Sequence, residues 1–238
     1  DVAGRLWDES TSPADLPAVG DWVAVAARPD EHAGTIQAVL PRRTKFSRKT
    51  AWQAAEEQVL AANVDVVFIV TSLNEDLNLR RLERYLILAR ESGAQPVVLL
   101  TKSDLAGDVE AKVAEVREIT LGIPVHAISS RTGDGVDVVR SILGPGITGA
   151  LIGSSGVGKS TLVNALVGRE RQRTSDVREG DQRGRHTTVA SELVPLPDGG
   201  LLIDTPGLRA VSLWSSDDDT PFGLDRAFAD VVALAEHC

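Results

Sequence analysis

The sequence predicts an α/β fold in which a mostly parallel sheet carries helices on both faces and a small β segment precedes it. From residue 63 onward, apolar runs typical of buried strands alternate with segments whose apolar residues recur at helical spacing. Before residue 46, short runs rich in Val and Ile are bounded by Gly and Pro. The alternation indicates strand–helix–strand units, and the first segment is typical of a β-barrel.

The first segment contains two predicted strands, residues 19–27 and 34–40. It is too short for a full five-stranded barrel, but its length and strand pattern fit most of such a barrel without the first strand. A basic run at 42–49 ends this segment. We therefore place the end of the first domain at residue 48.

The second segment supplies the elements of the main sheet. Its predicted strands are residues 64–70, 96–100, 124–128, 148–152, 191–196 and 200–204. Its predicted helices are residues 79–89, 109–119, 136–143, 160–167 and 224–236. Pro197-Asp198-Gly199 is a hairpin turn signal, so the last two strands should be antiparallel while the others are parallel.

Composition limits the possible classes of function. A net charge of −9 excludes binding of nucleic acid by overall charge, so any RNA contact must come from local basic patches. The single cysteine excludes a disulfide within the chain, no apolar run reaches the roughly 18 residues of a membrane span, and no signal peptide is visible. We expect a cytoplasmic monomer. Because the sequence has no methionine and its last helical pattern stops at Cys238, we also expect it to be part of a longer protein.

A glycine-rich segment follows the strand at 148–152 and opens the next helix. It reads Gly153, Ser154, Ser155, Gly156, Val157, Gly158, Lys159, Ser160, and it matches every defined position of a P-loop. The glycines let backbone N–H groups surround phosphate oxygens, and the helix N-terminus adds partial positive charge. We expect Lys159 to contact the β- and γ-phosphates, Ser160 to ligate Mg²⁺ and Thr161 to contact the α-phosphate.

Asp204-Thr205-Pro206-Gly207 begins at the end of the last predicted strand. A carboxylate at a strand end can hold Mg²⁺ through water, as the second acidic element of P-loop enzymes does, and the Gly207 N–H can reach the γ-phosphate. Alone, this motif is commonly a plain turn. Its combination with the P-loop favours a magnesium and phosphate site.

Thr101, Lys102, Ser103 and Asp104 follow another apolar strand. A carboxylate at Asp104 can accept hydrogen bonds from guanine N1–H and N2–H₂, whereas adenine would leave it unpaired, so Asp104 should select guanine. The stem of Lys102 can lie over the base. The competing interpretation is that Ser103 or Asp104 caps the following helix. Ser129 and Ser130, after the next strand, occupy the place where a backbone N–H would meet guanine O6.

The order of these motifs is reversed, because in ordinary GTPases the phosphate loop precedes the base-reading element. The other characteristic segments are R-R-T-K-F-S-R-K at 42–49, E-E-Q-V-L-A-A-N-V-D at 56–65, L-R-R-L-E-R-Y-L at 79–86, G-R-H-T-T at 184–188 and D-T-P-G-L at 204–208. Over nearly its whole length the chain resembles the RsgA/YjeQ family of circularly permuted GTPases, which act in small ribosomal subunit biogenesis.

The resemblance implies three domains: an OB-fold that contacts ribosomal RNA at 1–48, a permuted GTPase domain at 49–214, and the start of a zinc-binding region at 215–238. It implies GTP and GDP as ligands, and slow GTP hydrolysis that the small subunit stimulates and that releases the factor. It also implies that Cys238 is the first of several zinc ligands. Without the resemblance, a free thiol is the simpler interpretation of this cysteine.

Two departures from common GTPases bear on the chemistry. Thr101 stands where Asn is usual, which removes an amide that could brace the base site. Leu208 stands where Ras-like enzymes carry a glutamine, and leucine cannot orient water. Slow intrinsic hydrolysis follows, and another group must position the water.

Residues 169–188 are rich in arginine and glycine without apolar periodicity, which predicts a flexible switch loop. Thr187 or Thr188 should close on Mg²⁺ and the γ-phosphate. His186 is the candidate to orient or activate water, an assignment that the resemblance supports. An exposed loop histidine or an RNA contact is the simpler alternative.

The basic run at 42–49 contains no acidic residue, which suggests contact with phosphates of ribosomal RNA, although a solvated linker is the competing interpretation. The leading hypothesis is a GTPase that times a step of small-subunit maturation. The alternatives are a permuted GTPase of large-subunit assembly, an RNA-binding scaffold that uses GTP only as a conformational ligand, and an ATP-dependent kinase, which Asp104 argues against.

Overall fold

The computed structural model describes residues 1–49, 57–73, 77–168 and 192–204. Its strands are β1 (Val23–Arg28), β2 (Ala33–Val39), β3 (Lys45–Lys49), β4 (Glu57–Ala62), β5 (Val66–Ser72), β6 (Gln95–Thr101), β7 (Val125–Ala127), β8 (Thr148–Ile152), β9 (Glu192–Pro195) and β10 (Leu201–Asp204). Its α-helices are α1 (Gly4–Glu9), α2 (Leu79–Ser92), α3 (Val109–Thr120), α4 (Val136–Ile142) and α5 (Lys159–Val167).

The main sheet has six strands in the order β7-β6-β5-β8-β10-β9. All neighbouring pairs are parallel except β10 and β9, which form the hairpin that the turn at 197–199 predicts. The mostly parallel α/β sheet is therefore confirmed. The carboxyl ends of the five parallel strands meet at one edge, where the loops that carry the predicted motifs leave the sheet.

Helices cover both faces of this sheet. Alternate residues of each strand point to opposite faces, and because the residues on both faces are apolar, both faces must be buried. On one face, Val67 and Ile69 of β5 lie in a buried cluster with residues of α2 and α3. On the other face, Phe68 and Val70 lie in a second cluster with residues of α4 and α5. These strands are apolar on both sides, which is why their sequences read as continuous apolar runs.

The helix ends follow from capping residues. The Asn78 side chain accepts a hydrogen bond from the Arg81 N–H at the start of α2, and Gly93 ends α2 in the left-handed conformation. Asp108 caps α3 by accepting from the Ala111 N–H. Gly158 and Gly168, both left-handed, flank α5. None of the helices within the described residues combines the length and the low polarity that crossing a membrane requires.

The N-terminal part contains two small antiparallel sheets, β1 with β2 and β3 with β4. The sequence did not predict β3 or β4, and the interpretation of 42–49 as a solvated linker is wrong for the part that forms β3. Phe46 of β3 is 1% exposed and packs in the same cluster as α2. The proposed domain boundary at residues 48 and 49 falls within β3, and the barrel assignment of residues 1–48 stays a prediction.

A buried ion pair fixes the path of the chain between β2 and β3. Arg42 donates from Nε and Nη2 to the two carboxylate oxygens of Asp21, each at 2.7 Å, and the Asp21 side chain is only 1% exposed. Arg42 also donates to the carbonyls of Ala14 at 2.5 Å and Leu16 at 2.8 Å. The hydrogen bond with Asp21 raises the pKa of the Arg42 guanidinium. This arginine therefore holds the residue 14–21 segment in place.

Candidate nucleotide site

The loop between β8 and α5 has the backbone that a P-loop requires. Gly153, Gly156 and Gly158 all have positive φ, at 147°, 79° and 98°, which other residues rarely adopt. A Cβ on Gly153 would lie 2.2 Å from the Val70 carbonyl oxygen, so only glycine lets the loop leave β8 this close to β5. A Cβ on Gly156 would meet nothing within 4 Å. The loop is therefore anchored against β5 at its start and open near its middle.

Lys159 is the cation at the base of this loop and is only 7% exposed. Its Nζ donates to the Gly153 carbonyl at 2.6 Å and to the Ser154 carbonyl. These bonds keep the buried ammonium solvated by backbone oxygens and hold it against the first part of the loop. The positive helix terminus, the glycine backbone and this ammonium together fit a phosphate group.

A second cationic side chain reaches the same loop from another helix. Arg81, in the first turn of α2, donates from Nη1 to the Ser154 hydroxyl at 2.8 Å. The sequence analysis did not identify Arg81 as a site residue. The available signal was an arginine in the first turn of a helix, where positive charge is unfavourable for the helix itself.

The base-reading element lies at the end of β6, two strands from the P-loop strand. The Ser129 hydroxyl, completely buried, donates to Asp104 Oδ1 at 2.7 Å, and the Ser103 N–H donates to the Ile128 carbonyl at 3.2 Å. Lys102 adopts the left-handed conformation, with φ of 58°, which is uncommon outside glycine and is often found at functional sites. The buried Ser129 hydroxyl thus orients the Asp104 carboxylate, while Asp104 as a whole stays exposed to solvent.

The capping interpretation of this element does not hold in the structure. The residues Ser103–Leu105 form a short 3₁₀ turn of their own, and α3 begins only at Val109. The cap of α3 is Asp108. Neither Ser103 nor Asp104 is therefore needed to start the helix.

Thr101 connects the base-reading element to the phosphate loop. Its hydroxyl lies 2.5 Å from the Val157 carbonyl of the P-loop and 3.2 Å from the Thr71 carbonyl of β5, and the residue is 2% exposed. The single hydroxyl proton goes to one acceptor at a time, and the shorter distance favours Val157. The sequence argument considered only the amide that is lost when Thr101 replaces asparagine. The threonine hydroxyl makes a hydrogen bond of its own, which joins the end of β6 to the P-loop.

The Ser130 hydroxyl oxygen is buried and has no hydrogen-bond partner within the described parts of the chain. It follows Ser129 directly, near the start of the loop between β7 and α4. The proposed contact of this loop with guanine O6 through a backbone N–H stays a prediction.

The residues present fit Mg²⁺ by their donor chemistry and placement. Ser160 lies in the first turn of α5 after β8, and Asp204 ends β10, the parallel neighbour of β8. Both are half-buried and offer oxygen, which Mg²⁺ prefers. No cluster of three His, Cys, Asp or Glu side chains suited to a metal occurs in the described ranges.

Several predicted site residues lie outside the described residues, and their assignments stay predictions. These are His186, Thr187, Thr188, Gly207 and Cys238, together with Leu208 and the arginines of residues 169–188. The helix expected at 224–236 also lies outside.

The basic run at 42–49 carries less free charge than its sequence suggests. Besides the buried Arg42, Arg43 pairs with Asp65 at 3.1 Å and Lys45 pairs with Glu57 at 2.7 Å. The hydrogen bond from Lys45, followed by one from Ser47, lowers the pKa of Glu57. Three of the cations that suggested an RNA contact therefore have carboxylate partners within the chain.

The fold and the site define a class of protein: an α/β protein with a P-loop after β8, in which the Thr101–Asp104 segment that the sequence predicts to read a base precedes the phosphate loop in the chain. A model of the RsgA GTPase family matches residues 39–214, and the chain belongs to this family. The predicted family is therefore confirmed.

Individual relatives agree with this assignment. The chain is 52% identical over 243 residues to the small ribosomal subunit biogenesis GTPase RsgA of Opitutus terrae, with 99% of this chain and 65% of the relative covered. It is 46% identical over 222 residues to the protein of that name from Methanosarcina acetivorans, with 93% and 59% covered. The chain thus spans less than two thirds of the length of these relatives.

Solved structures share the fold. YjeQ from Thermotoga maritima superimposes with a TM-score of 0.68 at 26% identity, covering 96% of this chain and 72% of that chain. YloQ, a circularly permuted GTPase, superimposes with a TM-score of 0.64 at 24% identity, covering 100% and 71%, which supports the fold alone.

Proposed function

We propose that this protein binds and hydrolyses GTP and acts in the late maturation of the small ribosomal subunit. One observation carries the first part: the Asp104–Ser129 pair and the P-loop lie at one edge of the sheet and are joined by the Thr101 hydroxyl. Membership of the RsgA GTPase family and the names of the relatives support the second part.

Guanine recognition is assigned to Asp104. Its carboxylate accepts from N1–H and N2–H₂ of the base, and the Ser129 hydroxyl holds one of its oxygens in position. Lys102 lies over the base, and the loop at Ser129 and Ser130 meets guanine O6. The loss of these bonds with adenine makes the site selective.

Phosphate recognition is assigned to the P-loop. Backbone N–H groups of residues 153–158 surround the β-phosphate, and Lys159 neutralises charge on the β- and γ-phosphates. Thr161 contacts the α-phosphate. Ser160, Asp204 and either Thr187 or Thr188 would hold Mg²⁺, which would neutralise charge on the phosphate oxygens. Gly207 offers its N–H to the γ-phosphate.

Hydrolysis requires a group that orients water, and Leu208 cannot do so. We assign this role to His186, which precedes the two threonines directly. Intrinsic turnover is slow because this residue must first be placed against the γ-phosphate, and the small subunit stimulates turnover by ordering it. Hydrolysis then releases the factor from the subunit.

The partners are the small subunit and its ribosomal RNA, met in the cytoplasm by a monomer. The relatives' names specify the subunit. RNA contact belongs to the domain that includes residues 1–48. By the family resemblance, Cys238 would serve as a zinc ligand of a region that begins at residue 215.

Turnover of GTP by the full-length protein tests the proposal. We expect purified small subunits, and not large subunits, to raise turnover by about tenfold or more, and His186→Ala to abolish the increase. Turnover that neither subunit changes would contradict the role in small-subunit maturation. Tight GTP binding without turnover under any condition would instead favour the scaffold hypothesis.

The base assignment has a separate test with a matched control. Asp104→Asn removes an acceptor and adds an amide donor, so we expect the affinity for GTP to fall about a hundredfold or more. Xanthosine triphosphate, whose base carries a carbonyl in place of the guanine amino group, should become the preferred nucleotide because its carbonyl can accept from the new amide. Asp108→Asn removes the same charge nearby while keeping a residue that caps α3 well. Titration with labelled nucleotides should show no change for this control. Retained GTP affinity in Asp104→Asn would remove Asp104 from base recognition.

A further inference from the structure

Ser154 lies between two cations that come from different elements. Its hydroxyl accepts from Arg81 Nη1 at 2.8 Å, and its carbonyl accepts from Lys159 Nζ. Arg81 belongs to α2, separated from the P-loop in sequence by β6, α3, β7, α4 and β8. The contact therefore joins the phosphate loop to a helix that carries no predicted nucleotide-binding residue.

The positive charge of Arg81 lies at the N-terminus of α2, where it destabilises the helix itself. The first turn of α2 contains no acidic residue, and it carries Arg80 and Arg81 at the positive end of the helix dipole. Arg80 and Arg84 are exposed, whereas Arg81 is half-buried against the loop. The contact with Ser154 thus distinguishes Arg81 from the neighbouring arginines.

The contact bears on the loop's conformational freedom. A loop with three left-handed glycines has many conformations to lose when it closes around phosphate. Gly153 is fixed against the Val70 carbonyl of β5, and Ser154 is fixed from the side by Arg81. Fixing a loop in its binding conformation reduces the entropic cost of association.

We propose that Arg81 is a positioning residue for the nucleotide phosphates: it fixes Ser154 and, through the Ser154 carbonyl, the ammonium of Lys159. The proposal rests on the proposed function, because Lys159 must be the phosphate lysine. Arg81 acts without touching the nucleotide. Its loss should therefore weaken GTP and GDP alike, since both carry the β-phosphate that Lys159 contacts.

A double-mutant cycle on the full-length protein tests this. We expect Arg81→Ala and Ser154→Ala each to raise the Kd of both GTP and GDP about five- to tenfold, the loss expected for one charged hydrogen bond at a half-buried position. The double variant should bind the nucleotides no more weakly than either single variant, because the two substitutions remove the same Arg81–Ser154 hydrogen bond. The cycle isolates this contact from any other that Arg81 makes. Arg84→Ala, which removes the same charge from an exposed position on α2, should stay within about twofold of the wild type.

The outcomes separate the inference from the function on which it rests. A wild-type protein that does not bind guanine nucleotides would remove the proposed function itself. If the wild type binds and Arg81→Ala matches it, or if the two substitutions add, the positioning role is wrong while the function stands. An Arg81→Ala variant that loses GTP but not GDP affinity, with Ser154→Ala unaffected, would place Arg81 on the γ-phosphate instead. Thermal unfolding of each variant checks that the fold is intact, and Ser154→Ala alone still tests the contact if Arg81→Ala does not fold.

Discussion

At the scale of single residues, the Thr101 hydroxyl directly links the end of β6 to the phosphate loop. It is almost completely buried and lies 2.5 Å from the Val157 carbonyl, which belongs to a residue that is itself 3% exposed. If the hydroxyl is removed, that carbonyl loses this partner in a place that water does not reach easily. A buried acceptor left in this way is costly.

Thr101→Val keeps the shape of the side chain and removes its hydroxyl. We expect the free energy of unfolding to fall by about 1–3 kcal/mol and the affinity for GTP to fall with it, since the phosphate loop loses its bond to β6. Thr101→Ser keeps the hydroxyl and serves as the control, with near wild-type values in urea denaturation and nucleotide titration. Equal stability of the valine and serine variants would show that the hydrogen bond contributes nothing.

Sequence motifs identified some of these residues and could not identify others. Asp104 and Lys159 belong to short patterns whose spacing reflects local geometry, so they were predictable. The contacts of Thr101 with Val157 and of Arg81 with Ser154 join residues far apart in the chain. Such contacts depend on the sheet order, which no local pattern contains.

At the scale of elements, the exit from β8 into the P-loop is the most constrained junction in the described residues of the site. Gly153 has no space for a side chain next to β5, whereas Gly156 requires only its left-handed backbone. The two glycines belong to one motif but should differ in their tolerance of substitution.

Gly153→Ala should lower the free energy of unfolding by more than about 3 kcal/mol, because the new Cβ would lie 2.2 Å from the Val70 carbonyl oxygen and β5 or β8 must shift. Gly156→Ala is the matched control. Its cost should be about 1 kcal/mol, the strain of a left-handed alanine. Thermal unfolding of the nucleotide-free proteins measures both, and similar melting temperatures would contradict the close approach to β5.

The elements themselves were predicted unevenly. The strand at 148–152 agrees with β8 because its residues are nearly all buried and apolar. β3 and β4 were not predicted, since Lys45, Glu57 and Gln58 give them a polar character. They are strands because they pair with each other and because Phe46 packs in the core, and neither cause is visible locally.

At the scale of the whole molecule, the N-terminal segment is tied to the main sheet through a small set of polar contacts. The Asn63 side chain accepts from the Arg43 N–H at 2.9 Å and donates to the Gly20 carbonyl at 3.0 Å. A Cβ on Gly20 would lie 2.0 Å from the Ala62 carbonyl oxygen and 3.0 Å from Ile203 of β10. This packing places the N-terminal segment directly against the strand that ends at Asp204.

Within the N-terminal part, the Arg42–Asp21 pair should contribute most to holding the residue 14–21 segment in place. Arg42→Ala leaves Asp21 buried without its bidentate partner, and we expect a loss of about 3 kcal/mol in the free energy of unfolding. Arg43→Ala removes the same charge from a side chain that is 69% exposed, and its cost should stay below about 1 kcal/mol. Urea denaturation followed by tryptophan fluorescence compares them. Equal effects of the two substitutions would mean that burial of the first pair does not matter.

The basic run shows how charge in a sequence differs from charge on a surface. Composition counts every arginine equally, but Arg42 and Lys45 are partnered by carboxylates that come from other segments. The run of positive charge led us to expect contact with RNA phosphates. Three of its cations instead pair with carboxylates of this chain, and the distance along the sequence does not reveal those pairs.

The strand β5 sets the spacing between the two strands that carry the predicted site segments. It separates β6 from β8, its Thr71 carbonyl faces the Thr101 hydroxyl, and its Val70 carbonyl limits Gly153. The distance between the base subsite and the phosphate subsite is thus a property of a strand that supplies no predicted ligand group. We therefore expect substitution at Asp104 to change the base preference proposed above without changing the shape of the phosphate loop, so that the two proposed specificities can be altered independently.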